Sequence, residues 1–265
     1  MPNIPTVFDE LEPVTSRFYL HALKVLERAQ IPYLLGGAYA FAHYTGIIRH
    51  TKDLDVFVRP VDARRSLEAL QQAGYRTEMT FSHWLGKAFS GNDFVDVIFS
   101  SGNGLCTVDD EWFEHAVPME QGGPALLCPA EELIWQKTFI MERERFDGAD
   151  VNHLLRACGP KLNWDRLLRR FDHNWPVLLG HLILFSFVYP AERQRIPEQV
   201  IDNLLTRWRN EVSHPETGKK ICQGTLLSRM QYLSDTERWD YGDARLQPQG
   251  KMTSEQITHW TAAGR

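Results

Sequence analysis

The chain has 265 residues, with 43% hydrophobic and 24% charged residues and a formal net charge of -5. This is globular composition, long enough for one large domain or two modest ones, and the mild acidity argues against coating nucleic acid nonspecifically. The four cysteines, Cys106, Cys128, Cys158 and Cys222, form no CxxC pair, which argues against a zinc site or a disulfide framework and for reduced, mostly buried thiols.

Met1 to Pro13 lacks a basic start followed by an apolar run, so no secretion signal is expected and the protein is placed in the cytoplasm. Thr15 to Ala29 carries Phe18, Leu20, Ala22, Leu23, Val25 and Leu26 at helical spacing. Ile31 to Leu35 is a short apolar run stopping at Gly36-Gly37, a strand entering a tight turn. A helix follows over Ala38 to Tyr44 and closes near Gly46. Asp53 to Val58 reads as a strand ended by Arg59-Pro60, and Ala63 to Ala73 as a helix with Gly74 at its C-terminus. His83 to Phe89 and Phe94 to Phe99 read as a hairpin around Gly91-Asn92, and Asp109-Asp110-Glu111 as the start of a helix.

From Pro129 the texture is helical. Helices are expected from Pro129 through Met141, then over Asp147 to Ala157, Trp164 to Phe171, Val177 to Val188 and Glu198 to Arg209. The apolar run Trp175 to Tyr189 falls short of the roughly 20 residues of a membrane span and reads as a buried helix. Gly242 to Arg265 is polar and expected to be loosely held.

Three features of the first half carry chemistry. Gly36-Gly37 ends a strand and opens a helix; alone this is more often a plain turn, but free N–H groups there suit a phosphate. Asp53 and Asp55 share one face of a strand, their Cα atoms about 6.6 Å apart. Taken alone, such a pair reads first as the solvated acidic face of an edge strand; because it repels itself, two divalent cations roughly 4 Å apart would compensate it and suit an in-line phosphoryl displacement. Asp96 sits within Phe94 to Phe99, where a carboxylate is expensive unless paired or metal-bound. Arg49, Thr51 and Lys52 precede the Asp53 strand and are candidates to touch a phosphate. His43 and His50 are read as ordinary polar or packing residues. Arg166, Arg169 and Arg170 read as a solvated basic face, and are the best candidate patch for an RNA or nucleotide partner.

Tyr33-Leu-Leu-Gly-Gly-Ala-Tyr-Ala40 followed by Arg49-His-Thr-Lys-Asp-Leu-Asp-Val-Phe-Val58 resembles the nucleotidyltransferase (DNA polymerase β-like) superfamily. It is similar to the small bacterial branches, the AbiEii/MenT-like toxins and the aminoglycoside or lincosamide nucleotidyltransferases. Leu127 to Lys137 with Arg145 to Asp150 is similar to a helical segment of the AbiEii-like branch. One departure is Ala38, where the superfamily often has Ser, Thr or a bulky residue.

The resemblance implies an α/β fold, a small mixed sheet flanked by helices with a helical C-terminal region. The expected division is a catalytic core over 1–125, a helical domain over 126–241 and a tail over 242–265. Gly36 and Gly37 would hold the phosphates of an NTP such as ATP. Asp53 and Asp55 would bind Mg2+, two ions being expected and Mn2+ the alternative. Asp96 would be third ligand and general base, and Lys137 would face the triphosphate. Read without the resemblance, Lys137 is as well placed on a solvated helix face, and Asp147 and Asp150 would cap a helix and pair with Arg145 or Lys137.

The expected reaction transfers an NMP group from the NTP to a hydroxyl acceptor, releasing pyrophosphate. The acceptor is a tRNA, a protein or a small molecule. The alternatives are a toxin-like enzyme acting on tRNA under an antitoxin partner, and a non-catalytic nucleotide-binding relative. A metal-dependent nuclease also needs clustered carboxylates, but a Gly-Gly turn ahead of the Asp53 strand favours NTP use.

Overall fold

The computed structural model describes residues 11–49, 51, 53–119, 125–214 and 220–264. His50 and Lys52 lie outside the described residues. The chain divides into two units, Met1–Pro129 and Ala130–Arg265.

The first unit runs α1 (Pro13–Arg28), β1 (Leu34–Leu35), α2 (Gly37–Thr45), β2 (Asp53–Phe57), α3 (Pro60–Gln72), β3 (Arg76–Phe81), β4 (Leu85–Ser90), β5 (Asp93–Ile98), α4 (Asp110–Glu114), β6 (Val117–Pro118) and β7 (Leu126–Leu127). Its seven-stranded sheet has the order β3-β4-β5-β2-β1-β7-β6. The centre is mixed: β2 runs parallel to β5 and antiparallel to β1.

Local chemistry explains these elements. Pro13 and Pro60 open α1 and α3, where their missing N–H removes nothing from the helix ladder. In α1 the buried stripe is Phe18, Tyr19, Ala22, Leu23, Val25 and Leu26, with Tyr19 inside and Leu20 partly exposed. Leu54, Val56 and Val58 are fully buried, so the apolar positions of β2 alternate into the core as a period of two requires. β4 and β5 form a hairpin whose turn is Gly91-Asn92, with Ser90 opposite Asp93 and Gly91 at φ 61°. β3, which the sequence pattern did not announce, is an edge strand of mixed exposure and so shows no clean alternation.

The second unit contains α5 (Ala130–Thr138), α6 (Gly148–Cys158), α7 (Trp164–Phe171), α8 (Trp175–Val188), α9 (Glu198–Ser213), β8 (Ile221–Cys222), α10 (Leu233–Arg238), β9 (Gly242–Asp243) and α11 (Ser254–Ala262). α5 stops before the expected Met141, whose N–H bonds to Leu227 O at 3.1 Å instead of continuing the helix. Ser254–Ala262, within the stretch expected to be loosely held, is a helix. Thr253 accepts from Gln256 N, and the Gln256 side chain bonds back to Thr253 N.

Two further expectations are corrected here. Arg166 is not on a solvated face: it is buried, with Glu131 and, at 3.5 Å, Glu132 as partners, while Arg170 reaches Glu132 at 3.1 Å. Two glutamates on the opposing helix pull these guanidinium groups inward, and Arg169 is left exposed. The apolar run of α8 buries only one side: Leu178, Leu179, Leu182 and Phe185 are inside, whereas Phe187 is 81% exposed. Among the described residues no helix is long and apolar enough to cross a membrane.

Candidate active site

Three carboxylates converge on one face of the central strands. β2 and β5 lie parallel in register, Asp55 opposite Asp96 and Asp53 opposite Phe94. Residues directly paired across a ladder point to the same face, so the register brings Asp55 and Asp96 together. The strand period adds Asp53 beside Asp55. One oxygen from each of the three lies within 4.8 Å of the others.

The glycine pair makes room for this group. Gly36 N donates to Asp55 O at 3.0 Å, tying the turn to the acidic strand. Gly37 sits at φ 50°, and a Cβ there would lie 1.7 Å from Asp55 Oδ2 and 2.7 Å from its Cγ. A Cβ on Gly36 would strike the Phe57 ring at 1.9 Å. Both positions therefore exclude every side chain. α2 starts at Gly37, against the Asp55 side chain, and no side-chain hydrogen bond caps its N-terminus.

Lys87 belongs to the site and was not picked out from the sequence. It sits opposite Asp96 on β4, its Nζ 2.6 Å from Asp96 Oδ1 and 4.1 Å from the Phe94 ring centroid. The signal was present: a two-residue turn at Gly91-Asn92 pairs Ser90 with Asp93 and, three steps further, Lys87 with Asp96. Burial pushes the Asp96 carboxyl above its ordinary value, the Lys87 ammonium opposes that, and the Asp53 charge adds to it; the net direction is up.

Two buried tyrosines feel the charge of the group. Tyr19 of α1 and Tyr39 of α2 are buried, and their phenols are pushed up by burial first. The neighbouring charges of Asp53 and Asp55 add to this for both, and those of Tyr39 and Asp93 also act on Tyr19. Thr15 Oγ1 donates to Asp93 at 2.8 Å, fixing the start of α1 against the start of β5.

The remaining expected residues fall as follows. Thr51 donates its hydroxyl to the Asp53 carboxylate, so it orients that side chain. Arg49 is exposed, its guanidinium 4.5 Å from the Phe41 ring centroid on α2. His43 lies on the exposed side of α2, edge-on to Tyr44. Lys137 lies in the second unit, its Nζ 2.8 Å from Asp147 and 2.7 Å from Asp150, and Arg145 also bonds Asp147. Burial would raise the Asp147 carboxyl, but the hydrogen bonds and charges of Arg145 and Lys137 outweigh it and hold it below its ordinary value.

The acidic group fits a divalent cation. Its donors are hard carboxylate oxygens, the type Mg2+ takes, and three like charges this close carry a repulsion that a cation relieves. Lys87 already holds one Asp96 oxygen, as Thr51 holds one of Asp53.

A protein-family profile described as aminoglycoside-2''-adenylyltransferase matches residues 19–87. No curated protein matches the chain. Among solved structures it is similar to the antibiotic-resistance factor ANT(2'')-Ia in solution, at 16% identity over 64% of this chain and 98% of that one, TM-score 0.45. It is also similar to the lincosamide antibiotic adenylyltransferase LnuA, at 14% identity over 52% and 94%, TM-score 0.39. JHP933 from Helicobacter pylori is similar at 13% identity over 76% and 96%, TM-score 0.40. The profile covers the glycine turn and both β2 aspartates, and with the carboxylate face it supports assignment to the nucleotidyltransferase superfamily.

Proposed function

We propose that this chain, whose first unit carries the nucleotidyltransferase assignment, transfers a nucleoside monophosphate from an NTP to a hydroxyl acceptor and releases pyrophosphate. The observation that carries this is the convergence of Asp53, Asp55 and Asp96 at a helix start cleared by Gly37. A nuclease needs the carboxylates but not the cleared turn.

Asp53 and Asp55 would hold Mg2+, with Asp96 completing the set. When bound, the ion supplies charge neutralisation on the transferring phosphoryl group. The chain's own groups do the rest. The opening amides of α2 bind phosphate oxygens, helped by the positive end of the helix dipole. Thr51 keeps the Asp53 carboxylate oriented. Asp96 takes the proton of the acceptor hydroxyl at its carboxylate. Lys87 holds Asp96 in place and favours its ionised, proton-accepting form against the burial that opposes it. Lys137 plays no part in this scheme, since its ammonium is already shared by two carboxylates.

The profile's description favours ATP as donor and the hydroxyl of a small molecule as acceptor, over tRNA or protein. Calorimetric titration with each NTP plus Mg2+ tests the proposal without knowing the acceptor. Metal-dependent binding by the wild type, lost in Asp53→Asn/Asp55→Asn, is the expected result. A folded wild type that binds no NTP would overturn it.

A further inference from the structure

α8 and α9 pack on one another within the second unit, and each leaves an apolar row in solvent. On α8 the exposed row is Pro176, Gly180, Ile183 and Phe187, spaced by 4, 3 and 4 residues. On α9 the row Ile201, Leu205, Trp208 and Val212 has the same 4, 3, 4 spacing and grows more exposed toward its end, Val212 being 62% exposed. Alternating steps of 4 and 3 are the signature of a helix that meets another helix along a seam. A helix apolar on all sides belongs in a core, and α8 carries no acidic residue, Lys or Arg over its 14 residues. Gly180 points at open space, with nothing within 4 Å of where a Cβ would sit. A glycine there serves no neighbour in its own unit and permits the close approach of a second helix.

We propose that this face pairs with the same face of a second copy of the chain, giving a four-helix contact about a two-fold axis. Three observations select a second copy. The 4, 3, 4 spacing of the α9 row is the same read in either direction, so an antiparallel copy places Leu205 against Trp208 and Ile201 against Val212. That pairing also brings Asp202 across from Arg209 of the other copy on the flank of the seam. Both residues are exposed, and neither is ion-paired among the described residues. From their exposures, the large apolar side chains of the two rows present about 600 Å² per copy at typical side-chain areas. A stable interface buries about 800 Å² per partner, so the rows supply the apolar centre and the flanks the polar rim.

The test is the mass in solution of the full chain, by light scattering and sedimentation at tens of micromolar. The wild type is expected to be a dimer, with Phe187→Glu and Trp208→Glu each weakening association by at least about tenfold. Both residues are more than half exposed, so circular dichroism of either variant should match the wild type. Asp202→Arg alone should weaken the dimer, and Asp202→Arg/Arg209→Asp should restore it. A monomeric wild type overturns the proposal, and so does a dimer that neither Phe187→Glu nor Trp208→Glu disturbs. A dimer that the charge swap fails to restore overturns the antiparallel register. NTP binding does not enter any of these readouts, so the result is independent of the proposed activity.

Discussion

Gly37→Ala separates the two demands made on the glycine turn. Gly37 lies at φ 50°, and an alanine held in the left-handed region costs about 1 kcal/mol. Its Cβ would also lie 1.7 Å from Asp55 Oδ2, 2.7 Å from Cγ and 3.0 Å from Cβ. Rotating the carboxylate cannot clear all three atoms, so the whole Asp55 side chain has to retreat. Ordinary contact needs roughly 3.5 Å, a retreat of well over 1 Å. Under the proposed reaction, misplacing Asp55 by that much would reduce turnover about 100-fold. Gly46→Ala is the control: Gly46 has φ 72° with nothing within 4 Å of a Cβ, so it carries the backbone cost alone. Pyrophosphate release should therefore collapse in Gly37→Ala and persist in Gly46→Ala. Urea unfolding should show the larger destabilisation for Gly37→Ala. Equal destabilisation of the two variants with equal turnover would refute the claim that Gly37 exists to admit Asp55.

Lys87→Met removes the group opposing burial at Asp96, so that carboxyl, already above its ordinary value, rises further. A higher value leaves less of the proposed base ionised at a given pH, and the acid limb of the kcat/KM profile should move to higher pH. Lys137→Met leaves Asp147 and Asp150 without a shared cation in a largely buried place and should destabilise the second unit by about 3 kcal/mol, read by urea unfolding. Because the native Asp147 carboxyl is held down, its stabilising share is present above the unfolded value and lost as pH falls through the folded one, and Lys137→Met should weaken that dependence. Glu132 behaves in the opposite sense: burial, only partly offset by Arg166 and Arg170, raises it from 4.5 to about 7. The native state then binds more protons than the unfolded chain between those values, stability from this group falls as pH rises through them, and Glu132→Gln should flatten that slope in urea titrations at stepped pH.

The acidic site was legible because strand periodicity acts on residues near in sequence. Asp53 and Asp55 share a face for the reason that any i, i+2 pair on a strand does. A carboxylate between Val95 and Val97 signals a special environment through desolvation alone. What sequence spacing could not supply is which strand lies beside which. β2 and β5 are parallel neighbours separated by a helix and a hairpin, and that pairing is a tertiary fact. Lys87 lay between these cases, since hairpin register fixes it opposite Asp96 once the turn is accepted as two residues long. Tyr19 and Tyr39 gave no signal, because a tyrosine on a buried helix face looks the same in sequence whether or not a carboxylate's charge acts on it.

The second unit resisted sequence reading for a related reason. Charge in a helix is ambiguous until the partner helix is known. Arg166, Arg169 and Arg170 look equally solvated in sequence, yet Glu131 and Glu132 on α5 draw two of them inward and leave Arg169 outside. Apolarity is ambiguous in the converse way. The α8 run is hydrophobic on every side, and hydrophobicity all round demands cover without saying who provides it. Its inner face is covered by the unit's own core, while Ile183 and Phe187 stand in solvent. Burial expected from sequence and exposure found in the structure are both satisfied if the missing cover is another copy of the chain. The same residues that defeated the sequence reading thus supply the most direct test of assembly.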